Sequence, residues 1–274
     1  MNYIHRRGVP SRVLLAAISG ALLGMGLSGP SGLSGCAGLD PLAALVTPAL
    51  AAVDARALVR HVETQYEGHS AHCVFQMKVV TASWTRTMTL ESWSQGRDRM
   101  LARILAPMKD AGMSTLKVGD QMWEYFPNID RLMRIPTSLM GQRWMGSDLT
   151  NDDLVKASKI DQLYTFKVSK ETPAAVSIVA TPKPDAAVVW GHLVYVIDPV
   201  RELPVAIRYY DENGALARTV TFSDARRIDG RWLPMKMRFE PADRPGEYTE
   251  VDYRKLELDR PVPGRFFSVE HLGK

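Results

Sequence analysis

Few residues of this chain stand at spacings that chemistry demands. His69-x-x-His72 is the one paired histidine. Beside a strand start it cannot present both rings as a helical zinc motif does, and no third ligand lies near, so the pair reads as structural or solvated. Asp148, Asp152 and Asp153 carry the charge of a calcium loop but lack its glycine and its closing Glu, which leaves helix capping and solvation as their work. Glu91 and Glu124 are a carboxylate pair on strands, as glycoside hydrolysis uses. Alternation places both opposite the apolar stripe, on a wet outer face. There is no Gly-x-Ser-x-Gly elbow, no phosphate loop and no dinucleotide fingerprint. The expectation is a protein that is not an enzyme, with no catalytic residue, no metal and no cofactor.

The two cysteines matter through their position. Arg6, Arg7 and Arg12 precede the fifteen uncharged residues Val13–Leu27, a basic segment and an apolar segment of export-signal length. That run is shorter than the roughly 20 apolar residues of a comfortable span. Two processing points then compete. Leu33-Ser34-Gly35-Cys36 reads as a lipobox, which would make Cys36 a diacylated N-terminus and tether the protein to the outer membrane. Ala49-Leu50-Ala51 reads as the cleavage site of a soluble periplasmic product, in which case Cys36 belongs to a removed leader. Either way Cys73 is left without an intrachain partner. It falls in an apolar strand pattern and reads as a buried, inert thiol.

Composition bounds the rest. The chain has 274 residues, 46% hydrophobic and 23% charged, an ordinary globular balance. Its net charge is +4. Three of those charges are the arginines of residues 1–36, which hold no acid, so the remainder is nearly neutral and nothing points to a nucleic-acid partner. The unusual feature is soft apolar side chains: 13 Met and 6 Trp. Methionine adapts to irregular shapes and is over-used at promiscuous hydrophobic sites.

The elements that must position these residues follow from periodicity. Residues 1–36 read as export signal, 37–53 as linker or leader remnant, and 54–274 as one domain. Asp54 caps a helix running to about Glu67, with Leu58, Val62 and Tyr66 on one face. From Cys73 the period becomes two. Short runs with one apolar face end in Gly, Pro, Asn or Asp, and Asn213-Gly214 and Asp229-Gly230 mark tight hairpins. Residues 137–160 break the pattern, and Thr150-x-x-Asp153 is a capping box for a short helix. The count is about eleven strands, mostly hairpin-linked, and no long helical pattern stands between them. One curved antiparallel sheet results, with little to cover its apolar face.

Val118-Gly119-Asp120-Gln121-Met122-Trp123-Glu124-Tyr125-Phe126-Pro127 resembles a strand pair of the outer-membrane lipoprotein-sorting family, the LolA-like periplasmic lipoprotein carriers. Glu91-Ser92-Trp93 with Gly96-Arg97-Asp98-Arg99, Pro107-x-x-x-x-Gly112, Arg131-x-x-Arg134-Ile135-Pro136, Trp144-Met145-Gly146-Ser147-Asp148-Leu149-Thr150-x-x-Asp153-Leu154 and Val179-x-Thr181-Pro182-Lys183 are similar to further segments of it. The likeness runs from about residue 54 to the C-terminus. It implies a mainly β fold, an incomplete antiparallel β-barrel with helices covering the concave apolar face. It also implies a periplasmic, non-enzymatic carrier or acceptor that holds lipid or lipoprotein acyl chains. Partners would be those chains, an inner-membrane transporter, and the membrane itself through an anchor at Cys36. A partner role in an envelope export or stress-sensing complex is the alternative. Carriers hold a closed lid through an arginine, for which Arg97 is the candidate. The cavity is expected on the apolar face of the first-half strands, lined by Phe75, Met77, Met88, Leu90, Met100, Ile104, Leu116, Val118, Trp123, Tyr125, Met133 and Ile135, with Trp144 and Met145 from a mobile loop.

Overall fold

The computed structural model describes residues 53–66, 68–156 and 159–272. Cys36 and both candidate processing sites lie outside them. Helix α1 (Ala55–Thr64) begins where the Asp54 carboxylate accepts the Ala57 amide at 3.0 Å, as the sequence predicts. It ends at Thr64, short of the expected Glu67. Its buried side is Val59, Val62 and Gln65, three apart, so it turns a polar amide inward beside two valines.

The period-two runs become β1 (Ser70–Val80), β2 (Thr85–Gln95), β3 (Arg99–Ala106), β4 (Ser114–Val118), β5 (Gln121–Phe126), β6 (Arg131–Arg134), β7 (Tyr164–Glu171), β8 (Val176–Pro182), β9 (His192–Asp198), β10 (Leu203–Tyr210), β11 (Leu216–Ile228), β12 (Arg231–Pro241) and β13 (Tyr248–Leu258). Among the described residues thirteen strands form, against about eleven expected, because runs as short as four or five residues (β4 and β6) are full members of the ladder.

All thirteen belong to one antiparallel sheet, in the order β6-β5-β4-β3-β2-β1-β13-β12-β11-β10-β9-β8-β7. Every neighbour but one is a sequence neighbour. The exception is β1 on β13, which joins the two halves. The sheet's edges, β6 and β7, do not pair with each other, so the barrel stays open. The chain between those edges carries α2 (Asn151–Lys156) and α3 (Ile160–Leu163). Val59 and Val62 of α1 and Ile160 of α3 pack on Ile178, Leu193, Tyr195 and Ile207, and so cover the inner face of the second half.

The first half differs. Its inner face is a closed core of Phe75, Met77, Met88, Leu90, Ile104 and Met122, capped by Trp144 and Met145. Its outer face is apolar too. There Leu101 and Leu116 are buried under two short C-terminal turns, Gly264–Phe267 and Val269–His271, through Phe267 and Leu272. This corrects the face assignment at β4 and β5. Leu116, Val118, Trp123 and Tyr125 belong to this outer cluster. Glu124 pairs with Thr115 and Met133 and shares its side of the sheet with Met122, so it points inward. Burial pushes its carboxyl above the usual range. Both faces of these strands are apolar, and alternation alone says only that the faces differ.

Candidate functional site

A cavity of about 290 Å³ opens between the inner face of β9–β12 and the helices. Its floor is Leu193, Tyr195, Ile207, Tyr209, Val220, Phe222, Met237 and Phe239. Val62, Gln65 and Tyr66 supply one wall, and Leu149, Leu154, Ile160 and Tyr164 another. Val188 and Trp190, from the β8–β9 connection, are half-buried at its margin. That connection must pass close to β10. At Gly191 any Cβ would lie 2.2 Å from the Asp211 carbonyl oxygen, so only glycine fits.

The polar groups of the cavity are mostly consumed by one another. Arg218 sits on β11 in phase with Val220 and Phe222, which turns its guanidinium inward, and it is buried. Nη1 donates to Asp153 Oδ2 at 2.7 Å and to the Asp148 carbonyl at 2.8 Å, and Nη2 donates to Asp153 Oδ1 at 3.0 Å. The guanidinium carbon lies 4.1 Å from the Tyr209 ring centre, 5.0 Å from that of Trp190 and 5.7 Å from that of Phe239. This is a two-pronged ion pair with an aromatic surround. Burial alone would raise the Asp153 carboxyl. The Arg218 charge and bonds, with those from Thr150, hold it below the usual range instead. The expected capping box forms around it: the Thr150 amide donates to Asp153 Oδ2 at 2.8 Å, and the Asp153 amide donates to Thr150 Oγ1 at 3.1 Å. Tyr195 donates its hydroxyl to Glu63 at 2.6 Å, and Tyr66 donates to the Pro234 carbonyl. Burial raises the phenols of Tyr195 and Tyr209, which stay protonated.

Asp148 anchors the segment before α2. Its Oδ1 meets Arg143 at 2.8 Å and Arg244 at 2.9 Å, and its Oδ2 accepts the Thr249 hydroxyl at 2.8 Å. The expectation of solvation is therefore wrong for Asp148, which is buried among cations. Through Asp148 and Asp153 one stretch of six residues is tied to β11, β13 and the β12–β13 connection.

The expected lining residues divide. Phe75, Met77, Met88, Leu90, Ile104, Ile135, Trp144 and Met145 are buried in the inner core of the first half, with Met133 packed against it. Trp144 is fixed there, donating its indole N–H to Thr115 Oγ1 at 3.0 Å. Met100 lies opposite Ser94 on β2 and is half-buried. Leu116, Val118, Trp123 and Tyr125 face the other way. None of the fourteen lines the 290 Å³ cavity. Ile135 lines a second, more polar cleft of about 570 Å³ beside Asp120, Arg134 and Lys159, where Lys159 and Asp120 form an ion pair. The inner core and the cavity are nonetheless continuous, since Val220 and Phe239 belong to both.

Arg97 holds Asp161 of α3 at 3.3 Å, away from the cavity lining. The cavity arginine is Arg218, which is absent from the sequence-based expectations; its one signal is a charge in the apolar phase of β11, two residues before Val220. Gln65 carried no such signal. Outside the cavity, His72 bridges Glu91 at 2.7 Å and Glu257 at 3.0 Å, with Trp93 stacked on it at 5.4 Å. Cys73 is half-buried and its thiol is pushed up to about 12 by burial, so it remains a thiol.

Comparison with known proteins bears on the fold. A family model described as "Uncharacterized protein" matches residues 96–274. A DUF1329 family protein from Desulfovibrio piger superposes with a TM-score of 0.73 at 22% identity, over 80% of this chain and 97% of the other. A domain from Vibrio parahaemolyticus, provisionally described as an outer-membrane lipoprotein-sorting protein, gives 0.69 at 20% identity over 80% and 98%. A LolA superfamily protein from Nitrosomonas europaea gives 0.68 at 18% identity over 80% and 100%. At such identities the likeness is one of fold. No curated protein matched.

Proposed function

Because the chain belongs to the family whose model spans residues 96–274 and has the LolA-like fold, we propose that it is a non-enzymatic periplasmic carrier or acceptor of lipid or lipoprotein acyl chains. The observation that carries this reading is the apolar cavity between the sheet and the helices. Burying an acyl chain is worth about 0.8 kcal/mol per methylene, so a chain binds usefully without polar contacts. The 290 Å³ void is about twice the roughly 150 Å³ that takes up benzene, which suits one chain of about a dozen carbons. Its far end abuts the methionine-rich core of the first half, where Met77, Met88 and Met122 can repack around a longer chain. Residues 147–153, tied down by Asp148 and Asp153, form the wall that must yield for cargo to enter.

In this proposal residues 1–36 export the protein and 54–274 are the binding domain. Lipidation at Cys36 makes it a tethered acceptor, and cleavage near Ala51 makes it a free shuttle. The partners are the acyl chains and an inner-membrane transporter that delivers them.

The test is titration of the delipidated protein with a fluorescent fatty-acyl probe, with mass spectrometry of lipids that co-purify. Ile207→Trp fills the cavity from its floor and should abolish probe binding while circular dichroism stays unchanged. Binding lost in Met100→Asp but kept in Ile207→Trp moves the cargo to the first half of the sheet. A wild type that binds no probe and carries no lipid, but captures one envelope protein on cross-linking, leaves the partner role instead.

A further inference from the structure

The floor of the cavity continues past its own edge. On β12 it includes Met237, which stands opposite Phe222 of β11, also in the floor, and opposite Val251 of β13. Val251 in turn stands opposite Met77 of β1, and Met77 opposite Met88 of β2. Residues directly opposite one another in a ladder share a face of the sheet. Phe222, Met237, Val251, Met77 and Met88 therefore form one row across the inner face. It is apolar from end to end, and its members belong to the first-half core or pack against it. Neighbouring strands lie about 4.8 Å apart, so the row runs roughly 14 Å past Met237.

The adjacent row offers no such path. Phe239, the other β12 residue of the floor, stands opposite Thr249, whose hydroxyl donates to Asp148. Beyond Thr249 come Val79 and then Arg86, which is paired with Asp110. An apolar chain laid there would strand these polar groups. In the Met237 row three of the five residues are methionine. Strands favour β-branched and aromatic side chains, and a fixed core is best specified by residues with few rotamers. Methionine is unbranched with three rotatable bonds, so it swings aside and refills space at little cost. Met77 and Met88 have no exposed surface, whereas Met237 is half-buried and borders the void. Met237 thus stands between empty space and a row that can give way.

We propose that Met237 is the gate that sets the length of chain the protein accepts. Closed, it ends the void behind a chain of about a dozen carbons. Swung aside, it lets a longer chain cross β13 and β1 toward β2, where Met77 and Met88 repack around it. The inference rests on the acyl-carrier reading of the same cavity and adds selectivity to it. Chains of about 16 carbons are preferred to those of about 12, because each further buried methylene adds to binding.

The experiment is displacement of a fluorescent acyl probe from the delipidated full chain by dodecanoate and hexadecanoate, below the concentrations at which they form micelles. Four more methylenes buried without repacking would tighten binding about 200-fold; with repacking, hexadecanoate should bind the wild type at least about tenfold more tightly than dodecanoate. Met237→Ile keeps the volume and suits a strand, but its branched side chain is stiff. It should bind dodecanoate within about twofold of wild type and gain no more than about twofold with hexadecanoate. In the wild type, a photoreactive diazirine on the last carbon of hexadecanoate should label β1 or β2. If the wild type gains less than that tenfold, if the label misses both strands, or if a folded Met237→Ile keeps the gain, the gate is overturned while the carrier reading stands. If the wild type binds neither chain and carries no co-purified lipid, the carrier reading falls and the inference with it. Length preference and labelling are read on the wild type, so they decide the matter even if the variant folds poorly.

Discussion

At the scale of single residues, the cavity wall turns on one buried ion pair. Arg218 and Asp153 are both shielded from water, and each holds the other in a close ion pair at 2.7 Å. Removing one member of such a pair strands the other. Asp153→Asn should therefore cost about 3–5 kcal/mol near neutral pH, read by denaturant unfolding. The pH dependence has a definite sign. The folded Asp153 carboxyl lies below its ordinary value, so its contribution is complete above about pH 4, the unfolded carboxylate range, and is lost as pH falls through the lower folded value. The stability gap between wild type and Asp153→Asn should then be constant from neutral pH down to about pH 4 and close below it. A gap that closes between about pH 7 and pH 5 would mean that another group carries the effect.

At the scale of elements, the C-terminal turns decide which strand face is core. Leu101 and Leu116 would lie bare on the outer face were it not for Phe267 and Leu272, and Trp93 meets Phe266 edge-on at 5.4 Å. Phe267→Ala should cost about 3–5 kcal/mol, as other buried Phe truncations do, whereas Leu132→Ala, on an exposed side chain of β6, should stay within about 0.5 kcal/mol. Equal effects from the two variants would remove the turns from the fold's support. The β10 strand shows a second way in which periodicity slips. Val205 continues the stripe of Ile207 and Tyr209 in sequence, but the register shifts between Pro204 and Ala206, and Val205 is exposed.

At the scale of the whole molecule, the candidate lipobox makes attachment testable. Cys36→Ser should release the protein from the membrane fraction into the soluble periplasm if the lipobox is used, and the intact mature mass should fall by a diacylglycerol. A wild type that is already soluble and begins near Ala52 would rule the anchor out. Much of the architecture was readable in advance. Asp54 and the Thr150–Asp153 box cap helices locally, and hairpins such as the one after β10 depend on a few adjacent residues, so short segments suffice to reveal them. Thirteen strands in a meander with a single long-range closure follow from that local order. Which face of a strand is covered is not a local property. Leu116 and Met122 both lie in apolar stripes, yet one packs under Phe267 and the other beside Met77, because segments far along the chain return to opposite faces. The same holds for the cavity. Gln65 and Arg218 look like surface residues by type, and 153 positions separate them. Only the packing of α1 over the inner face of the curved sheet brings them to one space, where burial rather than residue type sets what each can bind.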